Sequence, residues 1–130
     1  MCIRDSLINK GNEVIDHGAY EYDALDDYPD FIFPCARAVA SDPLSRGIIL
    51  GGSGQGEAMA ANRVKGVRAA VFYNGPIDIV KLSREHNNAN VLSIGARFMS
   101  EDEIRSVLDV WFNEPFGGGR HQRRIDKLDL

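Results

Sequence analysis

Long apolar runs are missing from this chain. None approaches the roughly 20 residues a membrane-spanning helix needs, and no secretory signal precedes a cleavage site. That excludes a membrane partner and leads us to expect a cytoplasmic protein. Cysteine is scarce: Cys2 and Cys35 are too few for a disulfide scaffold and lack metal-ligand spacing, so they read as reduced thiols. His17, His86 and His121 lie far apart and form no zinc motif, so no metal is expected. Basic excess is also lacking. A net charge of -4 and a pI near 5.3 argue against a nucleic-acid partner. With no repeat, low-complexity stretch or linker, the 130 residues should make one domain around one core.

What is present is a glycine turn between two regular elements. Arg46 to Leu50 reads as a short buried strand, and Ala58 to Arg63 as the helix that follows. Between them, Gly51-Gly52-Ser53-Gly54-Gln55-Gly56-Glu57 should aim several backbone N–H groups at one point and favour an anion there. The turn is not a P-loop, because no Gly-Lys-Ser/Thr follows, and it lacks the third glycine of the dinucleotide fingerprint. Glu57 adds a carboxylate able to take a proton. Negative charge held beside a base suggests enolate chemistry. Taken alone, the same glutamate is a first-turn acid that favours the helix dipole, and the turn alone is weak evidence.

Elsewhere, Leu7 to Gly11 looks like a helix end stopped by glycine, and Asn12 to Asp16 like a strand. Pro29 suits a first helical position, and Phe31 to Ala40 should be helical. Pro34 cannot continue a helix undisturbed, so the true start is placed near it. Arg68 to Phe72 and Val91 to Ile94 read as strands, and Ile77 to His86 as a helix ended by Asn87 and Asn88. Ser100 to Glu103 is a capping box ahead of one apolar face, Ile104, Val107, Leu108, Trp111 and Phe112. Phe31, Trp111 and Phe112 read as core or interface packing. Strands alternating with helices indicate an α/β domain with a parallel sheet, whose ligands sit at the carboxyl ends of the strands. Ser53 to Glu57 and Arg97 both fall there. The head of the chain is anomalous: Met1 to Ser6 lacks the length and apolar content of an opening strand, so the first strand is expected to be missing and residues 1–6 to be a non-native leader.

Five segments occur in a telling order: Asp27-Tyr28-Pro29-Asp30, Gly52 to Glu57, Ala60-Ala61-Asn62, Arg84-Glu85-His86-Asn87-Asn88-Ala89 and Gly119-Arg120-His121-Gln122-Arg123-Arg124. From about Leu7 to the C-terminus the chain resembles the type B ribose-5-phosphate isomerases, a family that also holds the galactose-6-phosphate isomerase subunits. The resemblance implies a Rossmann-like three-layer α/β/α sandwich, a homodimer with interfacial active sites, a sugar-phosphate substrate, and no metal or organic cofactor. It implies that Glu57 is the catalytic base, since the family's other branch uses a cysteine where this chain has Gly51. It further implies that Gly52, Ser53, Gly54, Gln55 and Gly56 form the anion hole and that His86 opens the sugar ring. Asn87 would contact a sugar hydroxyl, and Arg97, Arg120 and Arg124 would bind substrate, largely through its phosphate. Without the resemblance, His86 reads as a helix C-terminal residue and the arginines as solvated or acid-paired. Family members begin with a strand ending in an Asp-His pair that contacts substrate, and none precedes Leu7 here. The expected activity is interconversion of ribose 5-phosphate and ribulose 5-phosphate through a cis-enediolate. The alternatives are a hexose 6-phosphate isomerase or a phosphosugar- or nucleotide-binding module without turnover.

Overall fold

A computed structural model describes residues 2–129. In chain order the elements are α1 (Ile3–Asn9), α2 (Pro29–Ser41), β1 (Gly47–Gly51), α3 (Gln55–Ala61), β2 (Ala69–Phe72), α4 (Asp78–Glu85) and β3 (Val91–Gly95). A 3₁₀ turn (Ala96–Phe98), α5 (Glu101–Asn113) and α6 (Arg120–Ile125) complete the chain. The strands form one parallel sheet in the order β1-β3-β2. Gly47 pairs with Val91 and Gly51 with Gly95, so the strands begin at one edge and end together at the other. β3 is buried at every position, as an apolar run sandwiched on both faces must be.

Two apolar clusters cover the two faces. Ile3, Val80, Ile104, Leu108 and Trp111 bring α1, α4 and α5 onto one, while Ile32, Ala36, Val39 and Ala61 bring α2 and α3 onto the other. The result is a three-layer α/β/α sandwich. Ile48 and Ile49 point to opposite clusters, as successive strand residues must. The capping box at Ser100 and Glu103 starts α5 as expected, with both reciprocal hydrogen bonds made. Trp111 is fully buried and Phe112 packs beside it.

Two expectations are corrected. The helix around Pro34 starts at Pro29 and runs through Pro34. Burial of Ile32, Ala36 and Val39 on one face fixes it against the core, while Pro34 itself faces solvent. Asn12 to Asp16 forms no regular element and joins no ladder among the described residues. Residues 3–6 form the first turns of α1, with Ile3 and Ser6 buried. Met1 lies outside the described residues.

Candidate active site

The β1–α3 connection is held at the carboxyl edge of the sheet by close packing. Gly54 is left-handed at φ 77°, and a Cβ there would stand 3.1 Å from the Ile94 carbonyl carbon. Gly95 approaches so closely that a Cβ would meet the Ser53 carbonyl oxygen at 2.6 Å. Beneath the loop, the fully buried Ser93 Oγ donates to the Gly54 carbonyl at 2.7 Å. The Arg97 amide donates to the Gly52 carbonyl at 3.1 Å. These contacts fix the loop without using most of its own donors. Among the described residues, the amides of Gly52, Ser53, Gly54, Gly56 and Glu57 have no hydrogen-bond partner, and that of Gln55 reaches only Ser53 Oγ at 3.3 Å.

Glu57 rises from the first turn of α3, half-buried, with no hydrogen bond or ion pair to its carboxylate among the described residues. That carboxylate fills the space over the Gly51 Cα where a side chain would otherwise stand. Arg97 reaches the neighbouring glycine: a Cβ on Gly52 would lie 3.0 Å from its Nη2. Tyr28, heading α2, lays its hydroxyl over Gly56. Glu57, the anion-ready amides, Arg97 and Tyr28 therefore share one end of the sheet.

His86, Asn87, Arg120 and Arg124 are elsewhere. α4 runs back against the strands, so His86, its C-cap, sits at the edge where β3 begins. Gly119 starts α6 beside it, and the Gly117 amide donates to the Glu85 carbonyl at 2.9 Å. The His86 and His121 rings stack at 4.3 Å and 15°. Partial burial, then His86, Arg120 and Arg124, push the His121 imidazole below its usual pKa, with Glu85 opposing. Asn87, Arg120 and Arg124 are exposed, and the two arginines make no hydrogen bond or ion pair among the described residues. The length of β3, roughly 13 Å over four steps of about 3.3 Å, separates this basic group from Glu57.

Behind the basic group, Arg84 is 5% exposed and donates to the carbonyls of Ala89 (2.8 Å) and Glu114 (3.3 Å) and to Asn88 Oδ1 (2.8 Å). Burial, Arg46 and Arg68 lower its pKa to about 10, so the carbonyl bonds are what hold this cation in place. Sequence reasoning missed Arg84, Ser93 and the stacking partner His121. Ser93 carried a signal, as the lone polar residue in an otherwise apolar buried strand.

A cleft of about 980 Å³ runs along the open edge of β1 and ends at Glu57. Asp16, His17 and Tyr28 also line it. Among the described residues no three His, Cys, Asp or Glu side chains are grouped to hold a metal, and no helix is long and apolar enough to cross a membrane.

A family model described as Ribose/Galactose Isomerase matches residues 1–128. Ribose-5-phosphate isomerase B of Mycolicibacterium paratuberculosis is 45% identical over 123 residues, covering 94% of this chain and 76% of the relative. The probable ribose-5-phosphate isomerase B of Mycoplasma genitalium is 43% identical over 127 residues, covering 97% and 82%. The crystal structure of the Mycoplasma genitalium enzyme with bound ribulose-5-phosphate superposes with a TM-score of 0.91 over 97% of this chain and 82% of that one. The Clostridium thermocellum enzyme, 42% identical, gives 0.90 over 98% and 84%.

Proposed function

The chain belongs to the ribose/galactose isomerase family, and we propose that it interconverts ribose 5-phosphate and ribulose 5-phosphate with Glu57 as its base. The observation that carries this is the free carboxylate of Glu57 over Gly51, next to a loop whose amides are left without partners. In the open-chain aldose, Glu57 removes the proton from C2 and the C1 carbonyl oxygen takes up the charge. The amides of Gly52 to Gly56 stabilise that oxyanion, in a geometry already paid for by folding. Glu57 then returns the proton to C1 while the C2 hydroxyl proton passes to the C1 oxygen, giving the ketose. One carboxylate does both transfers because C1 and C2 are adjacent and the enediolate is cis.

The substrate is mostly a closed furanose, and ring opening moves a proton from the C1 hydroxyl to the ring oxygen. His86 is assigned this step because its ring offers one nitrogen that can donate a proton and another that can accept one. Asn87 is assigned a sugar hydroxyl, and Arg97, Arg120 and Arg124 the phosphate, for which guanidinium groups supply bidentate donors. The pentose is favoured over a hexose by the relatives, one of which holds ribulose-5-phosphate.

His86 and Glu57 sit at opposite ends of the sheet, so one chain cannot bring both to one sugar. A site shared between two copies of the chain resolves this, with Glu57 and Arg97 from one and His86, Asn87, Arg120 and Arg124 from its partner. Mixing Glu57→Gln with His86→Ala chains tests the arrangement. Each variant alone should be inactive. After subunit exchange, the heterodimers contain one unaltered site and should restore about a quarter of normal activity. A mixture that stays inactive, with exchange verified, rejects the shared site. Failure of the unaltered chain to form ribulose 5-phosphate while still binding ribose 5-phosphate would favour a binding module.

A further inference from the structure

We propose that Arg84 and Asn88 are positioning residues of the isomerase site: together they lock the turn that presents His86 and Asn87 and hold it in register with α6. The inference rests on the roles assigned above to those two residues. Arg84 itself is too buried to meet a substrate, at 5% exposed. Its guanidinium instead joins two stretches of chain that are distant in sequence. Nη1 donates to Asn88 Oδ1 and to the Ala89 carbonyl, both at 2.8 Å, and Nε donates to the Glu114 carbonyl at 3.3 Å. The first two acceptors belong to the turn after α4. The third is the C-cap of α5, from which the chain runs on to α6.

Among the described residues, Asn88 is the one non-glycine residue with positive φ, at 46°, a conformation that side chains other than asparagine and aspartate rarely adopt. Its amide donates to the Arg84 carbonyl at 3.0 Å, and the Ala89 amide to the Ser83 carbonyl at 2.9 Å, so the chain folds back onto the end of α4. Those bonds hold the backbone of the turn, and Arg84 adds a grip on its side chain. On the other side, the Gly117 amide donates to the Glu85 carbonyl at 2.9 Å, and a Cβ on Gly117 would stand only 3.1 Å from that oxygen. This close approach starts α6 where His121 can stack on His86. A buried cation that grips both stretches therefore fixes the spacing of the imidazole from Arg120 and Arg124 without bonding to any of the three. A displacement of about 1 Å in such a group can cost on the order of 10²-fold in rate.

The first test reads the folded protein without turnover. The His86 and His121 ring C–H resonances, held upfield by mutual stacking, should move downfield in Asn88→Gly, where glycine keeps the left-handed backbone and only the acceptor is lost. Asn88→Asp keeps an oxygen opposite the guanidinium and should leave them in place. Unchanged resonances in Asn88→Gly overturn the proposal, whatever becomes of the isomerase reading. The second test assigns the defect to one half of the shared site. Arg84→Met should lower kcat about 10²-fold and Asn88→Gly about 10-fold, with KM raised about 3-fold or less. The Glu57 end of Arg84→Met stays intact, so subunit exchange with Glu57→Gln chains should restore about a quarter of normal activity, and exchange with His86→Ala chains none. Should Arg84→Met fold poorly, Asn88→Gly replaces it in both mixtures. Rescue by His86→Ala chains overturns the proposal by placing Arg84 with the Glu57 end. Rescue by neither, while Glu57→Gln and His86→Ala chains rescue each other, overturns it by leaving Arg84 a role in stability alone. If those two chains fail to rescue each other, the shared site falls and the ring resonances decide.

Discussion

The Glu57 carboxylate occupies the volume over the Gly51 Cα, so the two positions cannot both carry a full side chain in this geometry. One position supplies the carboxylate and the other supplies its room. Glu57→Gln keeps the shape and removes the proposed base, so kcat should fall by about 10³-fold with ribose 5-phosphate binding retained. Gly51→Ala should displace the carboxylate and lower kcat/KM by about 10²-fold. The melting temperature should hardly change for Gly51→Ala, since the displaced group is the free end of a flexible side chain. Steady-state kinetics and calorimetry check both.

Ser93 links the sheet to the loop through one buried hydroxyl. Ser93→Ala leaves the Gly54 carbonyl without its donor in a dry environment and should cost about 1–3 kcal/mol of stability. Because the lost bond holds the amides proposed to stabilise the oxyanion, kcat should fall more than substrate affinity. Denaturant titration and kinetics on one preparation separate the two effects.

Arg84 answers several buried carbonyls at once, at the turn that carries His86 and Asn87. Arg84→Met preserves bulk but leaves the Ala89 and Glu114 carbonyls unpaired, and should destabilise the fold by about 3 kcal/mol. Arg84→Lys should recover only part of this, because an ammonium cannot span the same set of acceptors. Urea midpoints of the three proteins give the comparison.

His121 should titrate below the usual 6.5 of histidine, for partial burial and the cations around it oppose its charging. The unfolded chain then binds more protons than the folded one between that lowered value and 6.5. Stability that is fully present above 6.5 is lost as pH falls through the folded pKa. A His121→Phe variant keeps the ring stack and should lose less stability over the same interval. In NMR titrations, Arg124→Ala should move the His121 pKa upward, and Glu85→Gln should move it further down.

The elements legible from sequence were those whose signal is local. The strand ahead of the glycine turn, the Ser100–Glu103 capping box and the apolar face of α5 depend on residues within a turn or two of one another. Pro34 misled because local chemistry says stop, while Ile32, Ala36 and Val39 gain enough from the core to carry the helix through. Asn12–Asp16 misled in the opposite sense, since its pattern suits a strand but pairing needs a neighbour that a local pattern does not record.

By itself, the amino-acid order determined the chemistry on offer: an acid after a glycine turn, a histidine ending a helix, and arginines without local partners. Those are properties of neighbouring residues and of motifs in register. Only the three-dimensional fold decided which of them stand together. A parallel sheet sends each helix back to the edge where strands begin, so Glu57 and Arg97 share one end of the molecule while His86 and Arg124 share the other. Ser93 acquired its role from a partner 39 residues away, and Arg84 ties its own turn to Glu114, 30 residues away, at separations where local patterns carry no information.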